Sequence, residues 1–186
     1  GGNWLSDASF TPAAGLVEFD GAGAQSVAMP AIPWFDLRIA ASAVVSLPQD
    51  VLVQGRLDVL GQLSAVGTGV QVSGPLAIGP AGLLTAASAT AVALGASATV
   101  SGGLQVSAAA ASVQGDLIVP AGGIVTAGVG PHQLSSGLDV DGSLVLPPGS
   151  AFHFVGSGTI DVQPAIQLPQ VTFASGPYVV TRLVVA

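Results

Sequence analysis

Apolar and polar residues alternate along short segments of this chain, and the segments recur at a nearly constant interval. The unit reads Gly-x-Leu-x-Val or Gly-x-Leu-x-Ile, followed by a turn of small residues and a second short apolar run. Copies begin at Gly55, Gly74 and Gly115, with a degenerate copy at Gly95, so the leading glycines are 19 to 21 residues apart. Period-two alternation predicts β-strands, and a repeat of about twenty residues predicts a solenoid rather than a closed globule.

The repeat indicates one continuous domain. At roughly 20 residues per coil, 186 residues would make an all-β, single-stranded parallel β-helix (β-solenoid) of about nine coils. We divide it into N-terminal aromatic-rich coils or a cap at 1–50, regular coils at 51–130, and C-terminal coils with a terminal β segment at 131–186. Helix is disfavoured because glycine and β-branched residues are frequent, and only Ala108–Ser112 allows a helical turn.

The regular spacing is interrupted after residue 130. The next clear unit begins at Gly142, 27 residues after Gly115. An insertion around Pro131–Gln133 would account for the excess, and it would place His132 in a loop. Glycine and proline mark the other corners, where a turn needs either a positive φ or a fixed bend.

Composition excludes several classes of function. The chain has three arginines, no lysine and ten acidic residues, which give a net charge of −7. A nucleic-acid or anionic-membrane surface needs clustered cations, so neither partner is expected. Mean hydropathy is +0.74, but glycine, proline, serine and threonine interrupt every apolar run, so no membrane insertion is expected either. Cysteine is absent, which rules out disulfides and cysteine-bound zinc.

No group of residues forms a recognisable catalytic or cofactor motif, and we expect neither an enzyme nor a bound cofactor. Alternation places His153 outward, between the inward rings of Phe152 and Phe154. Asp139 and Asp141 flank a turn on one face, which allows weak Ca²⁺ binding as an alternative to a turn-forming role. The middle coils also lack the aromatic platforms and carboxylate pairs of polysaccharide-cleaving β-helices.

The N-terminal fifth of the chain resembles a known repeat. Its residues follow the pattern G-N-W…F…G-x-V-x-F-x-G…Q-x-I…F-x-L-x-I, and they are Asn3-Trp4, Phe10, Gly15–Gly21, Gln25–Val27 and Phe35–Ile39. This pattern is similar to a repeat of secreted bacterial surface proteins, and the later coils resemble the passenger stacks of adhesin and autotransporter-like β-solenoids. The resemblance implies a right-handed parallel β-helix, an extracellular or cell-surface location, and a structural or adhesive role. It carries over no catalytic residue.

Two features favour self-association. The outward positions of the middle coils are mostly Ala, Ser, Thr, Gln and Gly, which is unusual for a solvated monomer. The strongly β-forming C-terminal run has no evident cap, and an uncapped β edge invites addition of another strand. We therefore predict a subunit of an extracellular filament or sheath that polymerises head-to-tail, with an interface formed by Trp4, Phe10, Trp34, Phe173, Tyr178, Val180, Leu183 and Val185. The alternative is a monomeric adhesin stalk that uses the loop around His132 to bind a ligand.

Overall fold

The protein is a parallel β-solenoid. The structure is a computed structural model that describes residues 4–5, 13–28, 33–66, 69–86, 91–107, 110–163 and 166–185. These described residues form 27 strands and no helix. The strands wind through about eight turns of roughly 20 residues each, which confirms the predicted fold class with slightly fewer turns than the nine expected.

Successive turns contribute one strand to each of three long parallel sheets. Sheet 1 contains β1 (Trp4–Leu5), β3 (Gly23–Ala28), β6 (Ala43–Leu47), β9 (Gln62–Ala65), β12 (Leu83–Ala86), β15 (Gly103–Val106), β18 (Ile124–Thr126) and β21 (Ser143–Val145). Sheet 2 contains β2 (Leu16–Phe19), β5 (Asp36–Ile39), β8 (Leu57–Val59), β11 (Leu76–Ile78), β14 (Ala98–Val100), β17 (Leu117–Val119), β20 (Leu138–Val140), β23 (Gly158–Val162) and β26 (Tyr178–Arg182). Sheet 3 contains β4 (Pro33–Trp34), β7 (Val51–Val53), β10 (Gly69–Val72), β13 (Ala91–Leu94), β16 (Ala110–Val113), β19 (Pro131–Leu134), β22 (Ala151–Phe154) and β25 (Val171–Phe173). The last turns add a two-stranded sheet of β24 (Gln167–Leu168) and β27 (Val184–Val185).

Residues at equivalent positions of successive turns lie beside one another in register and form continuous rows along each sheet. In sheet 2, for example, Leu37 pairs with Leu57 and Leu57 with Leu76. Because side chains alternate between the two faces of a strand, each sheet has inward apolar rows and outward rows. The predicted alternation around His153 is confirmed, since Phe152 and Phe154 are buried and His153 is half-buried.

Two local predictions are wrong. Pro131–Gln133 is not an insertion, because these residues belong to β19, which pairs in register with β16 and β22. The strand of the next coil that is equivalent to β17 is β20, which begins at Leu138 and pairs residue for residue with β17. The helical turn allowed at Ala108–Ser112 is also absent from its described part, since Ala110–Val113 is a strand and residues 108–109 lie outside the described residues.

A second ladder of glycines follows the corner between sheets 2 and 1. Its members recur every 19 to 21 residues and are Gly61, Gly82, Gly102, Gly123 and Gly142. A positive φ does not explain why these five positions are glycine, because at this corner it is Gly122, next to Gly123, that has a positive φ, of 90°. Close approach of the backbone explains it, because a Cβ on Gly102 would lie 2.3 Å from the carbonyl oxygens of both Gly79 and Gly82. The corner therefore needs glycine so that successive turns can come within strand-pairing distance.

The outward surface of sheet 1 carries a row of small polar side chains. These residues pair in register from turn to turn, and they are Ser46, Ser64, Thr85, Gln105 and Thr126. The described strands of sheet 1 therefore contain no charged residue, whereas more than half of the charged residues of the described chain lie on strands of sheet 2.

Candidate functional site: the open C-terminal end of the solenoid

The inward rows of the solenoid end in apolar side chains that are only half covered. Phe173, Val180 and Val185 end rows in three different sheets, and they are 48%, 47% and 53% exposed. Phe154, Ile160 and Leu168 precede them by one turn in the same rows, and all three are 0% exposed. The difference arises because a further turn covers the inner members, whereas no described strand covers the last ones.

An aromatic cluster packs the terminal turn against the turn before it. The Phe154 and Phe173 rings are stacked with centroids 5.3 Å apart, and Tyr178 meets Phe154 edge-on, also at 5.3 Å. The backbone N–H of Gly156 donates a hydrogen bond to Tyr178 Oη at 2.9 Å. This packing holds the terminal turn in a defined position, so its outer face is a preformed surface.

An ionic network borders the end on the outward side of sheet 2. The Arg182 guanidinium donates to Asp161 through Nε and to Asp141 at 3.2 Å through Nη2. Its hydrogen bond lowers the pKa of Asp161, and the two carboxylates raise the pKa of Arg182. Partial burial and repulsion by Asp141 and Asp161 instead raise the pKa of Asp139. Arg182 is therefore the cation that neutralises the carboxylates of Asp141 and Asp161 at this end.

The Ca²⁺ alternative for Asp139 and Asp141 gains no support from this geometry. Asp141 accepts hydrogen bonds from Arg182 and, at 2.8 Å, from Gln163 Nε2. Within the described ranges, no three acidic or histidine side chains are grouped as a metal site requires.

The residues predicted for the interface fall into two groups. Phe173, Tyr178, Val180, Leu183 and Val185 lie in the terminal turn, where Tyr178 and Leu183 are partly buried against the core. Trp34 lies near the opposite end, 4% exposed, with its ring edge-to-face against Phe19 at 6.2 Å, so it has little surface for a partner.

Two predicted residues remain, Trp4 and Phe10. Trp4 pairs through its backbone with Val27 in sheet 1. Phe10 lies outside the described residues. Sequence reasoning missed three further residues at the two ends of sheet 2, namely Leu16, Glu18 and Val179. Counting strand register from turn to turn would have found them.

His132 lies in the core rather than in a loop. It is 4% exposed, contacts Phe152 with ring centroids 5.3 Å apart, and its Nε2 lies 3.0 Å from the carbonyl oxygen of Gly128. A cavity of about 50 Å³ beside it arises next to the small side chain of Ala111. This contradicts the prediction that a loop around His132 is available to bind a ligand.

Burial of His132 should make stability depend on pH. Desolvation lowers the pKa of the folded-state imidazole, so below the unfolded value of about 6.5 the unfolded chain binds more protons. We therefore expect stability to fall as pH decreases from 7.5 to 5.5, by at most about 1.4 kcal/mol per pH unit for this group. Thermal unfolding of wild type and His132→Gln, in which the amide can still donate to Gly128, measures the difference.

The matched control is His153→Gln on the outward face of the next strand, where His153 is half-buried. This variant keeps the buried His132 imidazole, so its stability should still fall as pH decreases from 7.5 to 5.5. An unchanged pH slope in His132→Gln would contradict the assignment of this effect to the buried imidazole.

These observations define a parallel β-solenoid with a preformed, half-exposed apolar surface at its C-terminal end. No protein-family model, curated protein or solved structure matches the chain. None of its described segments is a helix of sufficient length and hydrophobicity to cross a membrane.

Proposed function

We propose that this protein is a structural subunit that assembles end-to-end with copies of itself into an extracellular or cell-surface filament. The observation that supports this function is the exposure of three inward rows at one end, through Phe173, Val180 and Val185. Those side chains occupy core positions of the repeat, so a further turn of β-solenoid is the surface that fits them.

The energetics favour coverage of this end. Completing the burial of a half-exposed Val or Phe contributes about 1 kcal/mol each. Pairing also satisfies the edge of β26, which has a strand partner on one side only within the described chain. Because the two ends of a solenoid differ, such a contact is heterologous and does not close, and its repetition produces a fibre.

The sides of the molecule are consistent with an extended assembly. Only 7% of the residues are charged, and the outward row of sheet 1 is built from serine, threonine and glutamine. A surface with few charges offers little repulsion between neighbouring copies. The location outside the cell rests on the resemblance of the N-terminal residues to secreted surface repeats.

A charge at the centre of the open end should prevent assembly. We expect Val180→Asp to raise the protein concentration needed for fibres at least tenfold, because a carboxylate there would lose its hydration on contact with another copy. Negative-stain electron microscopy and sedimentation velocity across a concentration series measure the effect.

The matched control is Val66→Asp, the same substitution at a similarly exposed valine, 50% against 47%, far from either end. It should assemble like wild type. Discrete short rods of wild type at every concentration would overturn the proposed function and favour a monomeric adhesin stalk. Equal effects of the two substitutions would show that the C-terminal end is not the interface.

A further inference from the structure

Within the described residues, sheet 2 is an uninterrupted ladder of nine strands whose two edge strands are β2 and β26. Three positions on β2, namely Leu16, Val17 and Glu18, begin rows that end on β26. The two strands can therefore be compared position by position, as the partners that would meet if a second copy continued the stack.

The first outward row begins and ends in exposed apolar side chains. Leu16 begins it beside Asp36, and Val179 ends it beside Thr159. They are 56% and 63% exposed, among the most exposed large apolar residues of the described chain. The residues beside them in the row, Asp36 and Thr159, are charged and polar, so neither apolar side chain has an apolar neighbour in its own row.

The second outward row ends in opposite charges. It begins with Glu18 beside Arg38, whose Nε lies 3.7 Å from the Glu18 carboxylate. It finishes with Asp161 beside Arg182. Glu18 and Arg182 keep 39% and 36% of their side chains exposed, so both can form a further ion pair.

The inward rows match as well. Val17 begins the row that ends at the half-exposed Val180, through Leu37 and Ile160. Phe19 on β2 and Leu183 after β26 are also apolar and packed against the core. All the positions that would meet are thus apolar beside apolar or acid beside base.

We propose that the joint between copies is a parallel pairing of β26 of one molecule with β2 of the next, in the register that sets Val179 beside Leu16, Val180 beside Val17 and Arg182 beside Glu18. This inference rests on the proposed end-to-end assembly and specifies its contact. A slip by one residue would turn every inward side chain outward. A slip by two would place Val179 beside the Glu18 carboxylate and leave Leu16 uncovered.

Charge exchange tests the Arg182–Glu18 contact. Chains carrying Glu18→Arg have a basic residue at both ends of the row, and chains carrying Arg182→Glu have an acidic residue at both ends. Each variant alone should need at least a tenfold higher protein concentration than wild type to form fibres. An equimolar mixture should regain fibres by alternation of the two variants, because each tail then meets an opposite charge. Circular dichroism of each variant confirms that it is folded before mixing.

Engineered cysteines test the register independently, because the natural chain has none. In the double variant Leu16→Cys and Val179→Cys, mild oxidation of fibres should give a ladder of covalent multimers on a non-reducing gel. Neighbouring positions on paired strands are about 4.8 Å apart, within disulfide range. The two sites of one molecule are eight strand spacings, about 38 Å, apart, so every such bond joins two copies.

The slipped pair Glu18→Cys with Val179→Cys is the control, oxidised at a protein concentration at which electron microscopy shows that it forms fibres. Those fibres should give no ladder, since its Cα atoms would be about 8 Å apart. Two outcomes would overturn this register while leaving end-to-end assembly intact. In both, wild type forms fibres, but either the first cysteine pair gives no ladder or mixing the folded charge variants restores no fibres. Wild type that remains monomeric would overturn both.

Discussion

Replacing Phe154 by alanine should unfold the C-terminal turns while the middle of the solenoid stays intact. Phe154 is 0% exposed and contacts the rings of Phe173 and Tyr178. Truncation of a buried phenylalanine costs about 3–5 kcal/mol. In a solenoid each turn packs only on its neighbours, so this loss is not shared with distant turns.

Hydrogen exchange measured by mass spectrometry shows where the loss occurs. Strand amides of the described residues within 151–182 should exchange at least a hundredfold faster in Phe154→Ala than in wild type, whereas strand amides of the described residues within 57–100 keep their protection. The matched control is Phe173→Ala, next along the same row and 48% exposed, which should give a much smaller increase. A uniform loss of protection along the chain would contradict this prediction and show that the solenoid unfolds as one unit.

The second large effect is expected at Gly102, in the corner ladder. A Cβ there would lie 2.3 Å from the carbonyl oxygens of Gly79 and Gly82. Both obstacles are backbone atoms of the preceding turn, so relief requires the turns to separate. We expect Gly102→Ala to lower the free energy of unfolding by about 3 kcal/mol, at the upper end of the range for overpacked sites. Urea denaturation followed by circular dichroism measures it.

Gly69→Ala is the control for this substitution. The nearest atoms to a Cβ on Gly69 belong to Asp50, at 3.7 Å or more, so the methyl group fits without a clash. Alanine also lowers the conformational entropy of the unfolded chain, so stability should stay within about 1 kcal/mol of wild type or rise. Equal destabilisation by the two substitutions would show that close approach is not what requires glycine at the corner.

The two variants also separate stability from assembly. Phe154→Ala should abolish fibres, because the turn it loosens carries Phe173, Val180 and Val185. Gly102→Ala acts in the middle of the stack, away from both end strands of sheet 2. At a temperature where it is folded, it should therefore still assemble.

The sequence alone determined the fold class and whether most side chains of a strand point into the core or outward. Alternation within each unit is local, because successive residues of a strand point to opposite faces wherever that strand lies. The twenty-residue spacing of Gly55, Gly74 and Gly115 then stacks equivalent strands, and the stack has two ends. The expectation that Phe173, Val180 and Val185 lie near one end needed nothing more than their place in the chain.

Tertiary structure decided what depends on register between turns. The coils between Gly55 and Gly142 have glycine at or beside two corners, and locally these corners look alike. The sequence pattern therefore places the start of a coil at Gly142, whereas that coil's first strand begins at Leu138. The same misplacement led to the prediction that His132 lies in a loop, whereas its side chain occupies an inward row. The pairing of Leu16 with Val179 and of Glu18 with Arg182 also follows only from tracing nine strands, including the irregularity of β26 between Val180 and Arg182. Such rows join residues about twenty positions apart, and pairing of that kind is set by hydrogen bonding between turns, which no local pattern records.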